Sequence, residues 1–325
     1  MQIKNILKHY LFKMPDVIRR RFYIIYNYIK FPKYMEKKKH FGNLNQDKVF
    51  YVIRPRPGNV EGLMALLLDV IKHLEYAERC NFIPVVDFEN YETQYYEEGK
   101  NAWELFFYQV SDYSLKEVYQ SKNVVLSGLN ILEKSPNYLN QKFDFNSLTK
   151  TRRLVEKYIK IKPEIQAIVD REFFKLHIDN CVGLYLRGTD YTKLKPAGHP
   201  IQPTTFQAVK KIDEYMLQHP QKKIFLVTED MNIYTDIKKK YDDNVYTING
   251  DVYITDYDGK TFLSEDKALK QLGRSSTQRG ITYLVKIILL SKCRDLIGGN
   301  TSGSWAACVF SKSFNYMYIF DLGKY

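Results

Sequence analysis

Two hydrophobic patterns alternate along most of the chain. Short apolar runs rich in Val, Ile and Leu predict buried strands at 49–53, 82–87, 119–127, 182–186, 223–227 and 293–299. Longer amphipathic stretches, with apolar residues three and four positions apart, predict helices at 62–79, 150–174, 204–218, 231–241 and 278–291. Alternation of this kind is typical of α/β domains built on parallel sheets.

The length of 325 residues is enough for two α/β domains of medium size. The first predicted strand, the Gly-containing loop after it and the first long helix form the opening crossover of a Rossmann-like sheet. The helix 150–174 then joins two series of strands, which puts the domain boundary near residue 178. We therefore predict a basic N-terminal segment at 1–45 and two Rossmann-like domains at 46–178 and 179–325.

The positive charge of the chain is concentrated in its first 40 residues. The net charge is +12, and residues 1–40 hold eleven Lys and Arg against two Asp and Glu. The remainder is close to neutral, so we expect no nucleic-acid partner. No apolar run reaches transmembrane length, and Arg19–Arg21 interrupts any signal-peptide core.

An amphipathic pattern lies within this basic segment. Its apolar residues recur at helical spacing, at Ile18, Phe22, Ile25 and Ile29, and Lys37–Lys39 follows them. A basic, aromatic-rich helix of this kind is typical of segments that lie on anionic membranes. We favour peripheral contact with the inner face of the cell membrane through residues 1–40. The alternative is that the apolar stripe packs on the protein's own core and the charges form a solvated face.

The spacing of the cysteines and of the acidic residues indicates which redox state and which metal sites to expect. The four cysteines lie far apart, and Cys181 and Cys293 sit in apolar runs, which indicates reduced core residues and a cytoplasmic protein. No metal-site spacing is visible. Asp256 and Asp258 are two residues apart, but Asp258-Gly259 predicts a hairpin turn between 252–254 and 261–262. We therefore expect no metal.

Candidate chemistry is concentrated where predicted strands end. The strand 182–186 runs into Arg187-Gly188-Thr189-Asp190, and the strand 223–227 runs into Thr228-Glu229-Asp230. Ligands of open α/β sheets bind at such carboxyl ends. Residues 300–304, Asn-Thr-Ser-Gly-Ser, open another helix, whose N-terminus favours anions. The alternatives are structural: a turn with a surface ion pair at Arg187, and an N-cap at Asp230.

These segments resemble a known family. The sequence YLRGTDY at 185–191 is similar to the arginine-containing motif of the GDP-fucose-dependent superfamily of α1,6- and protein O-fucosyltransferases. Arg187, Thr189 and Asp190 match that motif, and Tyr185 stands where the family has His. His199-Pro200-Ile201 matches a His-Pro-Ile of the α1,6 enzymes. The strand end at 228–230 and the segment 278–304 follow in the family's order.

The resemblance implies a GT-B fold, in which two Rossmann-like domains face each other across a cleft. Domain 46–178 would bind the acceptor and domain 179–325 the donor. The implied reaction is inverting, metal-independent transfer of fucose from GDP-fucose to a glycan hydroxyl, without a cofactor, as in the synthesis of surface polysaccharide or a lipid-linked glycan. The implied donor-binding residues are Arg187, Gly188, Thr189, His199, Glu229, Asp230, Thr301, Ser302, Gly303 and Ser304.

The chain also departs from the family. The α1,6 enzymes carry a Glu where this chain has Leu194-Lys195, and an Asp where it has Lys286. The resemblance therefore does not identify the general base, for which the candidates are Asp190, Glu61 and His199, in that order. Arg187 is the candidate for the group that stabilises the leaving phosphate.

The stretch 88–112 is dense in aromatic residues. Within it, Asn101 and Trp103 are the candidates for acceptor contact, since aromatic rings stack on sugars. The alternative for this stretch is a lid or core cluster. For the whole chain, the alternatives are a transferase of the same fold that uses another nucleotide sugar, and a non-catalytic glycan-binding protein.

Overall fold

The computed structural model describes residues 14–58, 60–134, 145–264 and 273–325. The chain divides into two compact units between Lys162 and Pro163, and each unit carries one sheet. The α/β class with parallel sheets, predicted from the sequence, is confirmed.

The first unit contains a four-stranded sheet in the order β1-β4-β2-β3. Strands β2, β3 and β4 are parallel, and β1 is an antiparallel edge strand. The bounds of the strands are Lys37–Lys39 (β1), Phe50–Ile53 (β2), Ile83–Val86 (β3) and Val124–Leu126 (β4). The helices are Asp16–Lys30 (α1), Leu63–Arg79 (α2), Leu115–Val118 (α3), Leu129–Lys134 (α4) and Phe145–Tyr158 (α5).

The second unit contains a five-stranded, all-parallel sheet in the order β7-β6-β5-β8-β9. Its strands are Cys181–Tyr185 (β5), Lys223–Val227 (β6), Val245–Tyr246 (β7), Asp295–Gly299 (β8) and Tyr316–Phe320 (β9). Its helices are Pro163–Leu176 (α6), Thr189–Leu194 (α7), Thr205–Gln218 (α8), Met231–Tyr241 (α9), Ser276–Lys292 (α10) and Ser302–Phe310 (α11). Strand β5, which precedes the Arg-Gly-Thr-Asp loop, is central and completely buried, as its apolar composition indicates.

The observed division of the chain differs from the predicted boundary by one helix. The predicted helix 150–174 is two helices, α5 and α6, because Pro163 begins a new helix and cannot continue the previous one. Helix α6 packs against α10 of the second unit, with Ile165 and Val169 buried. The chain therefore divides after Lys162 rather than near residue 178.

Residues 252–262 do not form the predicted hairpin. In this described stretch Ile254 makes a single bridge with Asp230, at the end of β6, and no strand partners Thr261. Asp258 instead accepts a hydrogen bond from the backbone N–H of Lys260, at 2.8 Å, as in an Asx turn. Local turn chemistry is retained, but Ile254 pairs with residues 229–231, just after β6, and not with residues 261–262.

Helix α1 shows where the N-terminal apolar stripe lies. Ile18, Phe22, Ile25 and Ile29 are 53 %, 47 %, 60 % and 77 % exposed, respectively. The opposite side of the helix, at Asn27, is buried, and α1 packs against α4. The alternative that the stripe packs on the protein's own core is therefore contradicted. Among the described residues, no helix is both long and apolar enough to span a bilayer.

Candidate active site

Three adjacent parallel strands bring the predicted motifs to one edge of the second sheet. Strand β5 lies between β6 and β8, with Tyr185 in register with Val227 on one side and Gly298 on the other. Since all three strands point the same way, their carboxyl ends meet. The loops 186–190, 228–230 and 300–304 therefore converge, as expected for a ligand site of an open α/β sheet.

Arg187 is fixed by a bidentate ion pair with Asp190. Nη2 of Arg187 lies 3.0 Å from both carboxylate oxygens, and Nε lies 3.2 Å from Oδ1. The guanidinium also stacks over the Tyr191 ring, 4.7 Å from its centroid. Burial alone would lower the pKa of Arg187, but the Asp190 and Glu229 carboxylates outweigh it and raise that pKa well above its ordinary value. The guanidinium is thus a permanent, oriented positive charge.

Asp190 is committed to holding this loop. It is 2 % exposed and, besides Arg187, accepts hydrogen bonds from the backbone N–H groups of Tyr191, at 3.0 Å, and Leu263, at 3.2 Å. Both oxygens of Asp190 are therefore engaged, one by Arg187 and the Tyr191 N–H, the other by Arg187 and the Leu263 N–H. This geometry favours a role for Asp190 in orienting Arg187 over its predicted role as the general base.

Glu229 and Asp230 tie the end of β6 to the arginine loop. Oε1 of Glu229 accepts hydrogen bonds from the Gly188 N–H, at 3.1 Å, and the Thr189 hydroxyl, at 2.8 Å. Oδ2 of Asp230 accepts from the Thr189 N–H, at 3.1 Å. Burial raises the pKa of Glu229, and Arg187 opposes this rise. Both acids thus act first as a scaffold that fixes the loop.

Asp230 is also the N-cap of α9, the structural role that its position allowed. Its Oδ1 accepts from the backbone N–H groups of Asn232, at 2.8 Å, and Ile233, at 3.3 Å. Both of its oxygens are therefore bonded to backbone, in contrast to Glu229, of which only Oε1 is bonded to Gly188 and Thr189.

The backbone of the arginine loop is held in an unusual conformation. A Cβ atom added at Gly188 would lie 2.3 Å from Oδ2 of Asp230, so only glycine fits between the loop and that carboxylate. Thr189 has φ 40°, in the left-handed region that β-branched residues rarely adopt. The hydrogen bonds to Glu229 and Asp230 hold it there, and backbone strain of this kind is common at ligand sites.

The start of α11 supplies backbone donors rather than the predicted set of hydroxyls. Thr301 caps the helix by accepting from the Ser304 N–H, at 3.3 Å, and Ser304 donates its hydroxyl to the Gly299 carbonyl, at 2.5 Å. Both side chains are buried, whereas Ser302 is half-exposed. The N–H groups of Ser302 and Gly303 precede the first intrahelical bond, so they and the Ser302 hydroxyl are the donors at this helix end.

A pair of tyrosines supports this helix start. The hydroxyl groups of Tyr185 and Tyr283 are 2.9 Å apart, and a Cβ atom at Gly303 would lie within 2.7 Å of both oxygens. Glycine at 303 thus lets α11 approach the pair closely. Burial raises the pKa of both Tyr185 and Tyr283, so both hydroxyls stay protonated and can act as donors. Tyr283 was not predicted, because nothing in the spacing of α10 shows that its first turns reach β5.

His199 lies beside Tyr191 and not directly beside Arg187. Its ring centroid is 5.3 Å from that of Tyr191 and 6.2 Å from that of Phe262. Its backbone pairs with Tyr325, whose N–H donates to the His199 carbonyl at 3.1 Å. The half-exposed imidazole thus borders the arginine loop through an aromatic ring.

Lys286, where the family has an acid, is neutralised by a buried partner. Its Nζ lies 2.9 Å and 3.2 Å from the two carboxylate oxygens of Asp251, and both side chains are at least nine-tenths buried. The positive charge on α10 is therefore matched from the segment that precedes Ile254. The ion pair thus joins Lys286, the residue that differs from the family, to the segment whose Ile254 pairs with Asp230 after β6.

In the first unit, Glu61 is a predicted site residue whose carboxyl has a raised pKa. It follows β2 in the loop before α2, and burial raises its pKa, with Arg56 opposing the rise. Arg56 itself is bonded to Asp69, at 2.7 Å. Glu61 is held through its backbone carbonyl, which accepts from Nε2 of Gln94 at 2.7 Å.

Asn101 and Trp103 are core residues, so their burial does not support the expected acceptor contact. Trp103 is 1 % exposed and packs on Phe88 and Phe107. The Asn101 amide accepts from the Phe88 N–H, at 3.1 Å, and donates to the Val86 carbonyl, at 2.7 Å. The aromatic density of this stretch reflects a core cluster, the alternative that the sequence left open. Among the described residues, no three His, Cys, Asp or Glu side chains group as metal ligands.

No family model and no curated protein matches the chain. Solved structures that resemble it include NodZ alpha-1,6-fucosyltransferase soaked with GDP-fucose, at 15 % identity and a TM-score of 0.49, over 85 % of this chain and 96 % of that one. They also include a mutant of Arabidopsis thaliana FUT1 in complex with GDP, at 10 % identity and a TM-score of 0.49, over 85 % of this chain and 71 % of that one. A third is POFUT1 in complex with GDP, at 13 % identity and a TM-score of 0.37, over 84 % and 74 %. At this level of similarity, the chemical interpretation rests on the contacts described above.

Proposed function

We propose that the chain is an inverting, metal-independent glycosyltransferase that transfers fucose from GDP-fucose to a glycan hydroxyl. The observation that carries this proposal is the Arg187 guanidinium, fixed where three strand ends and the start of α11 converge. Asp190 occupies Nε and Nη2, and no hydrogen bond from Nη1 to any described residue is found. A diphosphate is the kind of ligand that both an oriented guanidinium and a helix N-terminus attract.

In the proposed reaction, the acceptor oxygen attacks the anomeric carbon of fucose on the face opposite the diphosphate. The bond from that carbon to the β-phosphate oxygen breaks as the glycosidic bond forms, and a base takes the acceptor proton. The products are the inverted glycoside and GDP. Negative charge grows on the β-phosphate as it leaves, and Arg187 stabilises this charge, which in many glycosyltransferases is the role of a metal ion.

For the donor, we propose a division of labour within the second unit. Arg187 and the N–H groups of Ser302 and Gly303 hold the diphosphate, since they are the donors at the converging ends. Glu229, which has only one oxygen bonded to the arginine loop, contacts the nucleoside. Asp230, Gly188 and Thr189 shape the loop, and His199 borders it through Tyr191.

For the general base, we propose Glu61 ahead of Asp190. Asp190 is buried, and both of its oxygens accept hydrogen bonds that tie them to Arg187, Tyr191 and Leu263. Burial raises the pKa of Glu61, and a carboxylate of raised pKa is the better proton acceptor. The assignment concerns the chemistry of each carboxylate and is tested by substitution.

The enzymatic part of the proposal is tested by the release of GDP from GDP-fucose, with a panel of glycan oligosaccharides and EDTA present. We expect acceptor-dependent release that EDTA does not lower. The matched donors GDP-mannose and a UDP-sugar serve as controls and are expected to be poor substrates. If bound GDP-fucose were released unchanged with every acceptor, the non-catalytic alternative would replace the proposal, whereas turnover of the UDP-sugar would keep the transferase and remove fucose.

We further propose a cytoplasmic setting. All four cysteines are free and three of them are buried, as is common in cytoplasmic proteins. A cytoplasmic transferase that builds surface polysaccharide or another lipid-linked glycan would work at the membrane face, which makes the exposed face of α1 relevant.

A further inference from the structure

The exposed side of α1 is a continuous apolar face. At about 100° per residue, Ile18, Phe22, Ile25 and Ile29 lie within about 60° of one another around the helix axis. All four side chains are about half or more exposed, and Ile29 is 77 % exposed. A helix of 15 residues is about 22 Å long, so the face is an extended stripe and not an isolated side chain.

The residues beside the stripe follow the order found in helices at a lipid–water interface. Tyr26 and Tyr28, both exposed, lie on its two sides, at about 80° from its centre. Tyrosine favours this boundary because its ring is apolar and its hydroxyl is polar. Arg21 lies beside Tyr28 on one side of the stripe, and Arg19 and Lys30 follow Tyr26 on the other. The long side chains of these three residues can reach phosphate groups while their stems stay in apolar surroundings.

The helix is held to the first unit by its other side. Asn27 is buried, and the segment that follows the helix is anchored by Arg54, which donates to the carbonyls of Lys33, at 3.1 Å, and Met35, at 3.2 Å. The helix is therefore packed on the first unit through one side while its apolar stripe is exposed on the other.

The same part of the unit carries a second basic element. Strand β1, Lys37–Lys39, is an edge strand in which all three lysines are exposed. Residues 14–40 together hold eight Lys and Arg against two acids. An apolar stripe bordered by tyrosines and this much positive charge is complementary to a surface that is apolar inside and negatively charged outside, which describes an anionic phospholipid bilayer.

We propose that α1 lies in the plane of an anionic phospholipid bilayer, with Ile18, Phe22, Ile25 and Ile29 inserted below the headgroups and β1 held at the surface by charge. The proposal does not depend on the proposed transferase activity. Vesicle binding is measured without donor or acceptor, so its failure leaves fucosyl transfer untouched.

The test is cosedimentation of the full chain with vesicles of phosphatidylcholine, with or without phosphatidylglycerol. We expect binding to the anionic vesicles that salt weakens, and much weaker binding to phosphatidylcholine alone. The variant Ile25→Gln/Ile29→Gln should bind about tenfold or more weakly, because two inserted side chains are lost. Replacing Lys37–Lys39 by Gln should weaken binding roughly fivefold for each lysine removed.

The matched control is Phe206→Gln/Leu217→Gln, which makes the same kind of change on α8 at side chains that are 78 % and 85 % exposed. It should bind vesicles like the wild type, and all variants should keep the helical circular dichroism of the wild type. Equal binding by wild type and Ile25→Gln/Ile29→Gln, or no binding at all, would overturn the proposal. So would a wild-type dimer in light scattering that Ile25→Gln/Ile29→Gln dissociates, since the stripe would then be a contact between two copies.

Discussion

Arg187→Ala is expected to lower kcat/KM for fucosyl transfer by about 10²–10³-fold, corresponding to about 3–4 kcal/mol of lost transition-state stabilisation. The guanidinium donates to Asp190 through Nε and Nη2 and stacks on Tyr191. It is therefore already oriented and needs little reorganisation when charge develops on the leaving phosphate. Steady-state GDP release measures the effect. Arg187→Lys should recover only part of the activity, because an ammonium keeps the charge but cannot bind two oxygens in one plane.

Removing Arg187 leaves the buried Asp190 carboxylate without its main partner, so loss of stability must be separated from loss of chemistry. Arg187→Lys serves this purpose, together with a thermal melt of each variant. Arg153→Ala is the matched surface control, since the Arg153 side chain is 71 % exposed and pairs with Glu78 at the surface. A folded Arg187→Ala protein with near-normal turnover would remove the central assignment of this site.

Glu61→Gln is expected to lower kcat by about 10²–10⁴-fold, the range typical of a lost general base, and to leave the affinity for GDP unchanged. Glutamine keeps the size and polarity of the side chain but cannot take a proton. Since burial raises the pKa of Glu61, the wild-type rate should be full above that raised pKa and fall as the pH is lowered through it. This acid limb of kcat/KM should be absent from the residual activity of Glu61→Gln.

Two controls separate this role from a structural one. Glu97→Gln changes a surface acid of the same unit, which pairs with Lys100 at 2.9 Å, and should leave the rate and the pH profile unchanged. Asp190→Asn should weaken GDP binding as well as turnover, because it loosens Arg187. If Glu61→Gln kept the wild-type acid limb while Asp190→Asn abolished it, the order of the two candidate bases would be reversed.

The residues that we propose hold the donor could be predicted from the sequence because they follow a local order along the chain. An apolar strand followed by Arg-Gly-Thr-Asp, a second followed by Thr-Glu-Asp, and a small-residue helix start all lie at strand ends, and parallel strands bring such ends together. The register of β5 with β6 and β8 places them as the pattern predicts. What the pattern lacks is the set of partners that decides each role.

The partners come from elements distant in sequence. Asp190 accepts a hydrogen bond from the Leu263 N–H, 73 positions along the chain, and Tyr283 reaches Tyr185 across 98 positions. Trp103 resembled a sugar-stacking residue only because burial cannot be read from aromatic density. In the same way, Lys286 is an unexplained departure until Asp251 is found beside it.

In the N-terminal segment, the sequence predicts the helix but not the direction in which its apolar stripe faces. Its helical spacing predicted α1, but spacing gives the same stripe whether the face points inward or outward. Only the burial of Asn27 and the exposure of Ile25 and Ile29 decide between the two interpretations. A stripe without a partner among the described residues is a feature of recognition rather than of folding.

Calorimetric titration of the wild-type protein with GDP-fucose, GDP, UDP and CMP, in EDTA, measures whether the site around Arg187 binds a GDP-sugar. We expect saturable binding of GDP-fucose and GDP without metal, much weaker binding of UDP and CMP, and a large loss of GDP binding in Arg187→Ala. Equal binding of UDP or CMP would contradict the assignment of the donor. No binding of any nucleotide, or GDP binding that survives Arg187→Ala unchanged, would contradict the assignment of the site.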